Sequence, residues 1–335
     1  MSKWYEEKAD HNDIVLSSRI RLARNVANYP FQHKMTAQQR CELNQSVQAA
    51  LADQPDFTFL NVQALSEITR YALVERHVIS RELADHPADR MLVLSEDESV
   101  SIMVNEEDHL RIQVLKNGLN LAGAYARCSQ VDDLLDSHLH YAFDEKLGYL
   151  TTSPTNLGTG LRASVMMHLP ALEQSGLIST LTATISKLGL TICGAYGEGS
   201  NVLGSIYQIS NQITLGITEQ DSIQNLESVV LQIVESEQQA RRNLAQNKLQ
   251  VEDLVYRSLG TLQYARLISA KEFFELFSNV RLGVSLGILS DVSLETLNCL
   301  MNRIGTANVC EYAGKQLSAP ERDFIRGQMI REILP

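Results

Sequence analysis

The sequence contains no run approaching the roughly 18 consecutive apolar residues that a membrane-spanning helix requires. It also lacks an excess of positive charge. Its 29 Lys and Arg stand against 40 Asp and Glu, a net charge of −11, which argues against broad attraction to nucleic acid or an anionic membrane. Any anion bound here needs a local pocket. Cysteine is scarce and odd in number: Cys41, Cys128, Cys193, Cys299 and Cys310 show no C-x-x-C spacing, so reduced thiols are expected and no metal site is called. There is no internal repeat and no Pro/Gly/Ser-rich linker. The opening residues are charged, with no apolar segment behind them, which predicts a cytoplasmic compartment. What is present is an ordinary globular composition, 44% apolar and 21% charged, enough for one or two domains. Arginine outnumbers lysine 20 to 9, a weak lean toward bidentate recognition of carboxylate or phosphate.

The hydrophobic pattern changes near residue 245. Upstream, short apolar stretches alternate with glycine-bearing loops. Residues 91–94, then Val100, Ile102 and Val104, then Leu110, Ile112 and Val114 read as strands, the last two joined as a hairpin. Residues 190–193 and 206–215 are also strand-like. Residues 161–172 have helical character, so the glycine-bearing loop 148–160 is expected to feed a helix N-terminus. Thr218 and Asp221 form a capping-box pattern before a long amphipathic helix. From about 250 onward every segment is helical in pattern. The expected fold is therefore α+β, a largely antiparallel sheet flanked by helices over residues 11–245, followed by a small helical domain over 246–335.

Four constellations are candidates for chemistry. Arg19 and Arg21 alternate along the extended segment 17–24 and point to one face, as a pair gripping polyphosphate oxygens does; a solvated surface strand has the same pattern. Asn105-Glu106-Glu107-Asp108-His109 is expected to be a tight connection exposing carboxylates, either an inert acidic loop or a general base at Glu107 with a phosphate clamp at Arg111. The loop ending at Arg162 suits an anion-binding helix start, or a connection needing positive φ, and it has no Walker A lysine. Cys193, with no histidine placed near it, reads as a small buried apolar residue rather than a nucleophile.

Taken in order, these segments resemble the phosphagen (guanidino) kinase family, and within it the bacterial protein-arginine kinases of the McsB type. The matching stretches are 15–24, 73–77, 96–99, 104–111, 154–164 and 196–199. In addition, Arg322-Asp323-Phe324-Ile325-Arg326-Gly327 resembles the R-D-x-x-R-A phosphoarginine-pocket motif of those enzymes, with Gly327 in place of Ala; ordinary i,i+4 helix charges are the other reading. The resemblance implies ATP-dependent phosphorylation of arginine side chains in proteins with Mg2+ as cofactor. Glu107 is then the base and Ser153 stands where the family has a reactive cysteine. The implied nucleotide site takes Ser17, Ser18, Arg19, Ile20, Arg21, His77, Arg111, the turn Arg162-Ala163-Ser164-Val165-Met166, and the segment Cys193-Gly194-Ala195-Tyr196-Gly197-Glu198. Implied partners are proteins with exposed arginines, a Clp-type protease, a zinc-binding activator, a heat-shock repressor and a second copy of the chain, with neither nucleic acid nor membrane among them.

Two departures bear on activity. The family usually has arginine at the position of Cys193, so one phosphate-binding cation is missing, and Ser153 lacks a thiolate's charge. They keep open a weakly active or inactive regulatory module that binds nucleotide or phosphoarginine. A small-guanidine kinase is a third reading, opposed by the absence of a helical specificity domain before the Ser17-Ser18-Arg19 motif.

Overall fold

The structure, a computed structural model, describes residues 3–195 and 202–334. The chain opens with β1 (Val15–Arg24), α1 (Ala37–Ala50), β2 (Phe57–Asn61), α2 (Glu67–Glu75) and α3 (Arg81–Asp85). Three strands follow, β3 (Met91–Ser95), β4 (Val100–Val104) and β5 (Leu110–Asn117), then α4 (Leu121–Leu139) and the two-residue strands β6 (Phe143–Asp144) and β7 (Gly148–Tyr149). Next come β8 (Leu161–His168), α5 (Pro170–Gln174), α6 (Ile178–Ser186), β9 (Leu190–Gly194) and β10 (Ile206–Asn211). The remainder is helical: α7 (Glu219–Leu244), α8 (Lys248–Tyr264), α9 (Ala270–Ser285), α10 (Leu294–Arg303), α11 (Thr306–Ala313) and α12 (Ala319–Ile333).

Eight strands form one sheet in the order β2-β3-β4-β5-β1-β8-β10-β9, with every pairing antiparallel. Short returns join β3, β4 and β5, as the neighbouring period-two segments predict, whereas α1 lies on the connection from β1 to β2 at the edge and α4 on the one that carries the chain from β5 past β1 to β8. One face is mostly apolar: Ile20, Leu22, Ile112, Val114, Ala163, Val165 and Ile209 pack against α4 and α7 through Cys128, Val131, Leu226 and Val230. The other face is divided. Leu92, Leu94 and Met103 lie under Leu73, Val78 and Leu83 at one side. Leu16, Met166 and Ile206 lie under Phe273, Phe277 and Ile330 of the C-terminal helices at the other. The strip between them carries Arg19, Arg21, Arg111, Arg162 and Ser164, and it is left open as a cleft.

The expected helix over 161–172 is corrected: residues 161–168 are the central strand β8, and helix begins only at Pro170. Leu, Ala and Met are good helix formers, so local propensity pointed the wrong way. Burial decides instead, because Leu161, Ala163, Val165 and Met167 alternate into the apolar face between β1 and β10. The anion-binding helix start at Arg162 therefore does not exist. The expected cap at Thr218 is present, accepting a hydrogen bond from Asp221 N, the third residue of α7, and Ser269 and Ser293 cap α9 and α10 in the same way.

Candidate active site

Strand register builds the cationic strip. Arg21 pairs with Arg162 across β1 and β8, Arg19 with Ser164, and Ala23 with Arg111 across β1 and β5, so all four arginines share one face. They are not equally satisfied. Arg19 donates to Ser164 Oγ at 3.2 Å and to Gln208 Oε1 at 2.6 Å, and Arg162 donates to Ser210 Oγ at 3.2 Å. The Nε atoms of Arg21 and Arg162, however, are buried without a hydrogen-bond partner. Burial first, then the guanidinium groups of Arg19, Arg111 and Arg162, push the Arg21 pKa well below its ordinary value. Orphaned donors in a cluster of like charge fit a polyanion.

The acidic turn is not the exposed loop expected from its composition. Glu106, Asp108 and His109 are buried, and each is held by a specific partner. Glu106 ion-pairs Arg111 at 2.8 Å and accepts from Ser80 Oγ. Asp108 Oδ1 accepts from Asn25 Nδ2 and from Thr152 N, both at 2.7 Å, tying this turn to the loop that carries Ser153. His109 accepts from Val26 N through Nδ1 at 2.9 Å, which leaves Nε2–H to donate to Pro30 O, and burial keeps the ring's pKa low. Glu107 alone among the three carboxylates is half-exposed. It sits 3.3 Å from Arg111 Nη2, and its pKa is raised chiefly by desolvation, against the pull of Arg111.

A cavity of about 160 Å3 brings these groups together: Glu107, Ser153, Arg21, Arg111, Arg162 and Asn156 all line it. Gly160 turns the wall of this cavity at φ +62°, where a Cβ would meet Ala23 O at 2.6 Å. Beneath it Arg24, fully buried, donates to Thr159 O, Ala23 O, Asp132 and Glu219 and lies 3.6 Å from the centre of the Tyr149 ring. In contrast to Arg21, this arginine is saturated, and it anchors the loop.

His77 lies beyond Arg19, at φ +60° just after α2, and its carbonyl accepts from Gln113. Burial and the charge of Arg19 push its pKa down to about 3, so the ring is neutral at working pH. A folded pKa below the unfolded value means that the unfolded chain binds the extra proton, so stability is lost as pH falls through about 6.5 toward 3. Thermal unfolding at pH 5.5 is expected to show a loss of roughly 1 kcal/mol attributable to this ring, absent from His77→Gln.

Other expected site residues are placed elsewhere. Ser18 is fully buried, donating to Gly118 O and accepting from Asn120 N. Ile20, Ala163 and Val165 belong to the apolar core, and Met166 packs under the C-terminal helices, so only their backbone borders the strip. Ser17 is buried beside Arg19. Tyr196, Gly197 and Glu198 lie outside the described residues. Cys193 is exposed on the edge strand β9, correcting the expectation of a buried residue; Gly194 ends that strand and Ala195 packs toward the C-terminal helices. Sequence reasoning missed Gln208 and Ser210. The polar alternation of β10 was their only signal.

Cys193 pairs with Gln208, whose side chain holds Arg19, so an arginine at 193 would join the cationic strip. Cys193→Arg is expected to improve Mg·ATP turnover about tenfold or more, the worth of one charge-assisted contact. Steady-state ATP kinetics check this.

On α12, Arg322 donates to Leu317 O, while Arg326 is buried and donates to Ile304 O, Ile268 O and Asp323 Oδ1. Phe324 is exposed and Ile325 half-buried. A Cβ on Gly327 would lie 2.9 Å from Arg266 O, so glycine lets α12 approach the end of α8. Arg326 thus staples three segments of the helical unit.

The chain belongs to the ATP:guanido phosphotransferase family, whose C-terminal catalytic domain matches residues 41–240, and is thus a guanidino-directed phosphotransferase. Within that family it falls among the protein-arginine kinases: residues 248–335 match the domain described as the protein-arginine kinase McsB C-terminal domain. It is 43% identical to the protein-arginine kinase of Clostridium kluyveri, covering 100% of this chain and 99% of that one. It is 45% identical to that of Geobacillus stearothermophilus, over 100% and 94%. Among solved structures, a duplicated taurocyamine kinase from Schistosoma mansoni with bound transition-state analogue components aligns with a TM-score of 0.61 and 31% identity, over 67% of this chain and 33% of that one. A lombricine kinase aligns with a TM-score of 0.60 and 24% identity, over 71% and 69%, a likeness of fold.

Proposed function

We infer that this chain transfers the γ-phosphoryl group of ATP to arginine side chains of proteins in the cavity between Glu107 and the arginine strip. The observation that carries this reading is the convergence of one half-exposed carboxylate with Arg21, Arg111 and Arg162 in a single cavity. An arginine guanidinium, with a pKa above about 12, has no free lone pair and cannot attack phosphorus until a base takes a proton. Glu107 aligns the guanidinium and accepts that proton; a raised pKa makes it a stronger base than an ordinary carboxylate. The N–P bond forms as the β–γ bridging P–O bond breaks, leaving ADP and phosphoarginine. Arg21, Arg162 and Arg111 meet the charge on the moving phosphoryl group, with Arg19 and neutral His77 on the nucleotide side. Ser153 borders the guanidinium and offers a hydroxyl to it.

Among the described residues no three His, Cys, Asp or Glu side chains converge to hold a metal. Mg2+ carried on the phosphates of the nucleotide would neutralise part of their charge. Residues 11–245 form the catalytic unit and 246–335 the accessory unit in this reading. On the resemblance alone we add a place in cytoplasmic protein quality control, beside a Clp-type protease, a zinc-binding activator and a heat-shock repressor, with phosphoarginine read around Arg322 and Arg326 and assembly as a homodimer. No helix among the described residues is long and apolar enough to cross a membrane. The relatives favour neither the inactive-module nor the small-guanidine reading.

The test is incubation with Mg·ATP and reduced, alkylated lysozyme, followed by mass spectrometry at neutral pH. Acid-labile phosphate on arginine is expected. Its absence under conditions where a related protein-arginine kinase modifies the same substrate would defeat the reading.

A further inference from the structure

Helix α11 begins without a cap of its own. Its N-cap residue is Gly305, which has no side chain to accept from the first turn, and the missing acceptor comes from the catalytic unit. Glu75, the last residue of α2, spreads its carboxylate over that turn. Ala307 N donates to both oxygens at 2.9 Å, and Asn308 donates to Oε2 through N at 3.0 Å and through Nδ2 at 2.9 Å. A negative charge at a helix N-terminus gains further from the helix dipole. Glycine at 305 admits this carboxylate, since a Cβ there would run into Glu75 Oε2. The next residue makes the same crossing: Arg76 donates to Asn308 Oδ1 at 2.8 Å and pairs with Glu311 at 2.9 Å, while its Nε lies 3.2 Å from Glu98 Oε2. The third residue in this run is His77, at φ +60°. A residue with a Cβ keeps that left-handed conformation only where its neighbours hold it. On the far side Gln113, which faces Arg21 across β1 and β5, donates to the carbonyls of His77 at 2.8 Å and Val78 at 3.2 Å. On the near side the hold comes from Glu75 and Arg76.

Resting on the kinase reading above, which puts His77 on the nucleotide side, we propose that Glu75 is a positioning residue for nucleotide binding: by gripping the first turn of α11 it holds His77 in the left-handed turn that aims its ring at the arginine strip. A return of His77 to negative φ would redirect its Cα–Cβ bond and carry the ring away from that strip. Glu75 itself stays out of the nucleotide site, because all of its carboxylate's contacts named above are to α11.

Titration calorimetry with Mg·ADP and thermal unfolding of the full chain separate this role from a purely structural one. Glu75→Ala is expected to weaken Mg·ADP binding about tenfold and to lower the melting temperature by about 3 °C. In Glu75→Ala/Gly305→Ser the space left by the carboxylate takes a serine, whose hydroxyl caps α11 locally while the tie to α2 stays cut; the φ of −56° at residue 305 suits it. The melting temperature should then recover and the affinity should not. Recovery of both, or an affinity unchanged in Glu75→Ala, would overturn the proposal. A cycle with His77→Ala reads the same role without that rescue. On the His77→Ala background Glu75→Ala should change Mg·ADP affinity by less than about twofold, whereas a second loss of about tenfold there would show that Glu75 does not act through His77. A wild type that fails to bind Mg·ADP would strike the kinase reading itself and this proposal with it.

Discussion

Glu107→Gln is expected to lower the single-turnover rate of arginine phosphorylation by about 100- to 10,000-fold, the usual worth of a positioned general base. The substitution keeps size and polarity and removes only the proton acceptor. Glu107 is 39% exposed at its side chain, and its neighbours Glu106 and Asp108 hold the turn in place, so the fold should survive. The pH dependence gives a second readout. The base must be ionised, and desolvation raises its pKa, so the wild-type rate falls as pH drops through a value above the ordinary carboxylate range. In Glu107→Gln that limb of the profile should vanish. A variant that keeps both the rate and the acid limb would assign the base to another group.

Arg21→Met carries the second large effect, and it moves activity and stability in opposite directions. Loss of one donor aimed at the transferring phosphoryl group is expected to cost roughly 100- to 1,000-fold in kcat/KM. Without nucleotide, however, Arg21 is a buried cation among three others with its Nε unsatisfied. Replacing it by an apolar side chain of similar length removes that penalty, so stability in the absence of ATP should rise by about 1 kcal/mol. Denaturant unfolding and initial rates on the same preparation test both halves. A variant less stable than wild type would show that Arg21 supports the fold rather than the reaction.

Strands β3, β4 and β5 were legible because they show plain alternation, and the start of α7 because Thr218 and Asp221 form a capping pattern before it. β8 was not, since Leu161, Ala163, Met166 and Met167 suit a helix when taken alone. Only the neighbours that bury both faces make the segment a strand. The site divides in the same way. Arg19 and Arg21 were placed by alternation, which needs no partner. Composition made the acidic turn look like a solvated loop, because it could not show that Asn25, Ser80 and Thr152 absorb two of its carboxylates and leave Glu107 to the cavity. The C-terminal motif shows the converse limit: spacing put Arg322 and Arg326 on one helix face, but the carbonyls of Ile268 and Ile304 that claim Arg326 come from distant segments.

In this mechanism phosphate and guanidinium share a single pocket. The most direct test is a crystal structure of the chain with Mg·ADP, nitrate and an arginine-containing peptide, the planar nitrate standing in for the phosphoryl group in flight. Nitrate is expected within hydrogen-bonding distance of Arg21, Arg111 and Arg162, with the peptide guanidinium against Glu107 and ADP toward His77. Nucleotide bound away from the arginine strip, or a guanidinium seated without contact to Glu107, would contradict it.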